Sequence, residues 1–229
     1  MIKKIFISLL IAVTFFSCEN VSDKTQGIIE YEITYPKIGH DHFMMDFLPT
    51  KMVLKFKNDR YLTEISAGMG MFKTHYFVDE SNNEFSQYLK IFNKKFVLTY
   101  RGDEITKANE ALPPIKIKKT FNTKTILGYK CKEAIVEIEK DNDFDRFTVY
   151  YTDSIKINNP NWWNQFNELN GTLMEYQYER YDICMHLKAK RIKFKKIDDD
   201  EFDLGDDYVA VDQERMDKEM EEVFSSFKD

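Results

Sequence analysis

Side chains able to do chemistry are few in this chain, and their spacing does not assemble a catalyst. There are four histidines, His40, His42, His75 and His186. His40 and His42 flank Asp41, and two imidazoles around a carboxylate are a fragment of a metal site. No other ligand cluster with metal-binding spacing accompanies them, so a polar loop is the reading preferred over a metal centre. Asp141, Asp143 and Asp145 imitate the opening of a calcium loop. The sixth position, where a sharp turn calls for Gly, holds Arg146, and the twelfth, where a bidentate Glu belongs, holds Thr152. A charged hairpin turn is therefore expected. The run Asp198 to Glu201 reads as a solvated bend, with weak divalent-cation binding as the alternative. No nucleophile is paired with a base in the sequence pattern, and the chain is read as non-catalytic, with no cofactor and no metal.

Cysteine carries the clearest chemical signal. Lys3 and Lys4 precede an apolar run from Ile5 to Phe16 interrupted only by Ser8 and Thr14, the charged and hydrophobic regions of an export signal. A membrane span needs about 20 apolar residues, so this run is too short. It ends at Phe15-Phe16-Ser17-Cys18, which resembles the lipobox of bacterial lipoproteins, in a loose form with Phe at the two positions before Ser17. That resemblance implies cleavage after residue 17, acylation of Cys18 and anchoring to a membrane, because two or three acyl chains hold stably where one does not. An ordinary secretory signal with a coincidental Cys18 is the alternative. The remaining thiols, Cys131 and Cys184, would then sit in an oxidising compartment, either bridged or separately buried.

Charge excludes one class of partner. The chain has 33 basic and 39 acidic residues, and loss of Lys3 and Lys4 leaves 31 against 39. The basic residues are interleaved with acids except in Lys188 to Lys196, read as a strand with a solvated cationic face, so no nucleic-acid partner is expected. Residues 18–26 form a short polar tether, and 27–229 form one domain with no internal repeat.

The strands that make up this domain follow from period-two alternation of apolar and polar residues. Gly27 to Pro36 shows it, with Ile29, Tyr31, Ile33 and Tyr35 on one face. It recurs at Lys51 to Lys57, Tyr61 to Ser66, Phe72 to Val78, Glu84 to Phe92, Lys95 to Tyr100, Lys118 to Asn122, Lys132 to Glu139, Arg146 to Tyr151, Thr172 to Glu179 and Met185 to Lys195. Hairpin-length links join most of them, which predicts a mainly β fold: a large curved antiparallel sheet or unclosed barrel. One short helix is predicted between Asn159-Pro160 and Gly171, with Trp162, Phe166 and Leu169 on one face. A C-terminal helix is predicted from Asp212, with Met216, Met220, Val223, Phe224 and Phe227 at helical spacing. Both helices are expected on the concave face.

Two further segments, Phe43-Met44-Met45 with Phe47, and Met69, Met71 and Phe72, concentrate flexible thioethers and aromatics where loops are expected. Filling core gaps between sheet and helix is their first reading. An adaptable hydrophobic surface is the second, and it would combine them with Trp162, Phe166, Met216, Met220 and Phe224.

Thr125-Ile126-Leu127-Gly128-Tyr129-Lys130-Cys131-Lys132-Glu133-Ala134 resembles a segment of the DUF4412 and GLPGLI-type exported proteins of Bacteroidota. Gly27-Ile28-Ile29-Glu30-Tyr31, Tyr150-Tyr151-Thr152-Asp153, Gly171 to Tyr178 and Phe202-Asp203-Leu204 to Tyr208 follow in the same order, with Gly205 where a proline is common. These families are similar in turn to the LolA and LolB lipoprotein carriers. That likeness implies an unclosed barrel with helices over a hydrophobic concave face, and a place in the cell envelope, at the outer membrane on either side. By analogy it implies a hydrophobic ligand such as a lipid or lipoprotein; the alternative is an envelope protein partner, with the cavity filled by the chain's own helices.

Overall fold

Alternation of side chains is carried into backbone pairing strand by strand. The computed structural model describes residues 24–39, 48–140, 143–181 and 183–225, with backbone alone for 140, 143, 144, 224 and 225. The signal segment, Cys18, His40, His42, Phe43, Met44, Met45, Phe47, Asp141, Phe227 and the side chain of Phe224 lie outside what it describes. The strands are β1 (Gln26–Thr34), β2 (Lys51–Lys57), β3 (Arg60–Ala67), β4 (Phe72–Asp79), β5 (Glu84–Ile91), β6 (Lys94–Arg101), β7 (Ile115–Ile126), β8 (Tyr129–Lys140), β9 (Asp143–Thr152), β10 (Thr172–Arg180), β11 (Ile183–Phe194) and β12 (Val209–Ala210). Among the described residues two helices accompany them, α1 (Asp103–Glu110) and α2 (Gln213–Ser225).

All twelve strands join one sheet in the order β12-β6-β5-β4-β3-β2-β1-β11-β10-β9-β8-β7. Every neighbouring pair is antiparallel except β12, which runs parallel to β6. Hairpins supply most connections, and the β7–β8 link shows why so short a loop suffices. Its central residues, Leu127 and Gly128, both have positive φ, 51° and 81°, a twist that matches the flanking strands.

The sheet is unclosed, yet it curls. Strands β6 and β10 stand seven places apart in the order, so a flat sheet would separate them by roughly 34 Å. Nevertheless Tyr100 of β6 and Arg180 of β10 line one cavity. Inward positions in register, such as Ile29, Leu54, Thr63, Tyr76, Gln87 and Leu98 from β1 through β6, make the concave face. The main core lies there: Ile29, Phe56, Val78, Leu89 and Met174 are wholly buried in it.

Helix α2 forms as its pattern predicts. Asp212 caps it, its carboxylate accepting a hydrogen bond from the Arg215 N–H at 2.9 Å. Met216 and Met220 are buried in the main core and Val223 packs against it. The short helix is elsewhere than predicted. Residues 159–171 form successive turns, with bonds such as Asn164 N–H to the Asn161 carbonyl and Leu169 N–H to the Phe166 carbonyl. Asparagine is the physical reason, because its side chain competes for local backbone groups. The buried Asn161 amide donates to the carbonyls of Leu169 (2.6 Å) and Gly171 (2.9 Å), and the Asn164 carboxamide oxygen accepts from Phe166 N–H at 2.8 Å. At Gly171 a Cβ would stand 2.8 Å from the Thr152 carbonyl oxygen, so this corner accepts no larger residue. The short helix is α1, which packs on β6 through Ile105.

After β11 the chain crosses the convex face before returning as α2. Ile197 and Phe202 cover Leu62 there. The acidic run is stapled to strand cations, Asp199 to Lys57 at 2.9 Å and to Arg60, and Glu201 to Lys55 at 3.1 Å, while Asp198 meets its neighbour Lys196 at 2.7 Å. Two cations of β11 are likewise paired, Lys190 with Glu32 and Arg191 with Glu30.

Candidate functional site

Curling the sheet leaves space that α1, α2 and the 159–171 turns only partly fill. A cavity of about 340 Å³ remains on the concave face. Its floor comes from inward residues of β2 to β6 and of β10 and β11, among them Met52, Ile65, Tyr76, Phe85, Tyr176 and Met185. Its roof comes from Ile105 and Ala108 of α1, the turn from Trp163 to Phe166, and Gln213 and Asp217 of α2.

Aromatic rings form much of the wall. Trp163 stacks on Phe85 at 4.7 Å between centroids and 14° between planes, and lies 6.0 Å from Tyr76 at 27°. Phe85 in turn stacks on Tyr100 at 6.4 Å. Phe166 meets Tyr176 edge to face at 5.9 Å. Burial pushes the Tyr76 and Tyr176 phenols well above their ordinary pKa, so both stay neutral.

Among the described residues lining the cavity, Arg180 and Asp217 are the charged pair, and they cancel. The Arg180 guanidinium donates to Asp217 Oδ1 at 2.9 Å, and the Tyr181 hydroxyl donates to the same oxygen at 2.6 Å. Gln213 Nε2 donates to Oδ2 at 2.6 Å, while its Oε1 accepts from the Tyr100 hydroxyl at 2.5 Å. This network ties α2 to β6 and β10 and leaves the cavity apolar, with neutral polar points. No family model matches the chain, and no curated protein does.

Of the residues proposed from sequence for a hydrophobic site, Phe166 lines the cavity. Its neighbour Trp163 faces it in place of Trp162, which packs half-buried against the core. Met216 and Met220 lie in the core under α2, and Phe72 is buried there too. Met69 is fully exposed and Met71 exposed in the turn between β3 and β4, so neither fills a core gap, and neither lines the cavity. That turn winds through Gly68 and Gly70, both with positive φ, and carries the thioethers into solvent. The tyrosines of the floor were readable as inward strand positions. Their convergence was not, because it depends on which strands curl to face one another.

Cys131 on β8 and Cys184 on β11 are buried and not bridged to each other, with β9 and β10 between their strands. The Cys131 thiol donates to the Tyr129 carbonyl at 3.4 Å, and burial pushes its pKa up. Asp145 is taken by Lys37, which also pairs with Glu179 at 2.7 Å. Among the described residues no cluster of three or more His, Cys, Asp or Glu is placed to hold a metal ion. No described helix is long and apolar enough to cross a membrane.

Proposed function

We propose that this chain is a non-catalytic, lipid-anchored protein of the bacterial envelope, held through Cys18, that binds a hydrophobic ligand on the concave face of its open sheet. The observation that carries the reading is the apolar cavity of about 340 Å³ roofed by α1, α2 and the Trp163 turn. Its size falls within the range of small-molecule sites, about 300 to 1,000 Å³, and its aromatic lining with few polar points is typical of them. Its polar lining is made of amides, hydroxyls and a self-satisfied ion pair, none of which is an activated nucleophile. The resemblance to DUF4412 and GLPGLI-type exported proteins belongs to the same reading, and so does an outer-membrane location. The alternative of a partner-binding protein whose helices fill its own interior is disfavoured by the space that α1 and α2 leave.

Native mass spectrometry of the protein purified from membranes tests this. The expected spectrum contains adducts of apolar small molecules that disappear in Ala108→Trp, which places an indole across the roof. An adduct-free wild type that also fails to bind an added apolar fluorophore would refute the reading.

A further inference from the structure

Among the described residues, three polar atoms of the cavity lining are closed to bulk solvent and have no hydrogen-bond partner: Thr63 Oγ1 and Gln87 Nε2 on the floor, and Trp163 Nε1 at the roof. The two floor atoms share one face of the sheet. Their residues line the cavity at 6% and 2% exposure. Thr63 of β3 stands opposite Tyr76 of β4, and Tyr76 opposite Gln87 of β5. The pair therefore shares the inward face two strand spacings apart, roughly 10 Å between backbones, with Tyr76 between them.

Buried polar groups in native proteins are nearly always bonded, and an unmet donor opposes folding. Valine and methionine would fill these positions with similar volume and no such penalty. A hydroxyl and a carboxamide nitrogen can both donate, so the partner they lack is an oxygen with free lone pairs. Among the described lining residues the one cation, Arg180, is already bonded to Asp217, which leaves no unpaired charge there for an anionic head group. We infer that the ligand is a neutral apolar molecule carrying an acceptor oxygen, of carbonyl type, at the end that enters first, and that Thr63 and Gln87 are its specificity-determining contacts. This rests on the ligand-binding reading above and narrows it: a plain hydrocarbon chain would leave both donors unmet.

The test uses a rigid matched pair, 9-fluorenone and fluorene, which differ in one carbonyl against one methylene. Binding to the full chain is followed through tryptophan fluorescence. Fluorenone should bind about five- to tenfold tighter, the difference one neutral hydrogen bond yields. In the double variant Thr63→Val, Gln87→Met the two probes should bind equally, with fluorene affinity within about twofold of wild type. Equal binding to the wild type, or a preference that survives the double variant, overturns the inference while leaving the apolar site standing. Failure of both probes to bind overturns the inference together with the ligand-binding reading. Ligand-free melting supplies an independent readout. Each single variant should hold or raise Tm, because it removes an unpaired buried group; a drop beyond about 4 °C, roughly 1 kcal/mol or more for a chain of this size, would show that the group is satisfied internally and would overturn its role.

Discussion

On the concave face of β3 and β4 the registered pairs are Ile65 with Thr74, Thr63 with Tyr76 and Tyr61 with Val78. One residue along, on the convex face of the same strands, they are Ser66 with Lys73, Glu64 with His75 and Leu62 with Phe77. The first set is buried by folding and, among the described residues, leaves one donor bare, Thr63 Oγ1. The second is held by charge: Glu64 meets Lys73 at 3.2 Å and His75 at 3.1 Å. Where the convex face is apolar, at Leu62 and Phe77, the returning chain covers it with Ile197 and Phe202. Burial is worth roughly 1.5 to 3 kcal/mol per large apolar side chain, while exposed ion pairs are worth at most about 1. The concave face therefore carries both the stability and the cavity, and the convex face mainly keeps the sheet in solution and anchors the crossing segment.

The largest break in that asymmetry should come from the concave core. Phe56 is wholly buried, opposite Tyr61, and meets Phe194 edge to face at 6.3 Å. Phe56→Ala should cost about 3 to 5 kcal/mol, the transfer term plus the void left behind, read as a lower urea midpoint at unchanged m-value. A loss below about 1 kcal/mol would mean that the interior is loosely packed, and the cavity would then lose its meaning as a shaped site.

A smaller effect should come from pH on the convex face. Burial holds the His75 imidazole below its ordinary 6.5, with Glu64 opposing part of that shift. Burial alone would raise the Glu64 carboxyl, but Lys73 and then His75 hold it below its ordinary 4.5. A depressed histidine binds its proton more readily in the unfolded chain, so its contribution is intact above about 6.5 and is lost as pH falls towards its folded value. The depressed carboxylate acts in the same direction, present above about 4.5 and lost as pH falls through its lower folded value. Tm should therefore decline from pH 7 towards pH 4. The His75→Gln variant should decline less than wild type between pH 7 and pH 5; a steeper decline would reverse the assigned sign.

These magnitudes also mark what was legible in the sequence. All eleven strands read from alternation are present, because a sheet with one buried face writes period two directly into its residues. Strand β7 extends further than Lys118 to Asn122, since Ile115 and Ile117 continue the alternation before the register shift between Lys119 and Thr123. Helix α1 was missed: it has eight residues and one buried side chain, Ile105, so it carries no apolar stripe. The 159–171 segment shows the reverse error. Pro160, Gly171 and the face of Trp162, Phe166 and Leu169 do suggest a helix, but Asn161 and Asn164 divert the backbone into turns that place Trp163 over Phe85. The cavity was the least legible part, because Tyr76, Tyr100 and Arg180 meet only after seven strand spacings of curl.

The smallest expected effect sharpens the comparison from the other side. Lys190 Nζ lies 2.8 Å from Glu32, and both side chains are about half exposed. Water screens such a pair, and ordering two long side chains offsets most of the attraction. Lys190→Met keeps the aliphatic stem on the sheet and removes the charge alone. It should change stability by less than about 0.5 kcal/mol, which is under about 2 °C in Tm for a chain of this length, and the small difference should vanish in 1 M salt, where charges are screened beyond about 3 Å. A loss above about 1 kcal/mol that persists in high salt would mean that the convex pairs fix the curvature of the sheet. The cavity would then depend on both faces, and the division between them would fail.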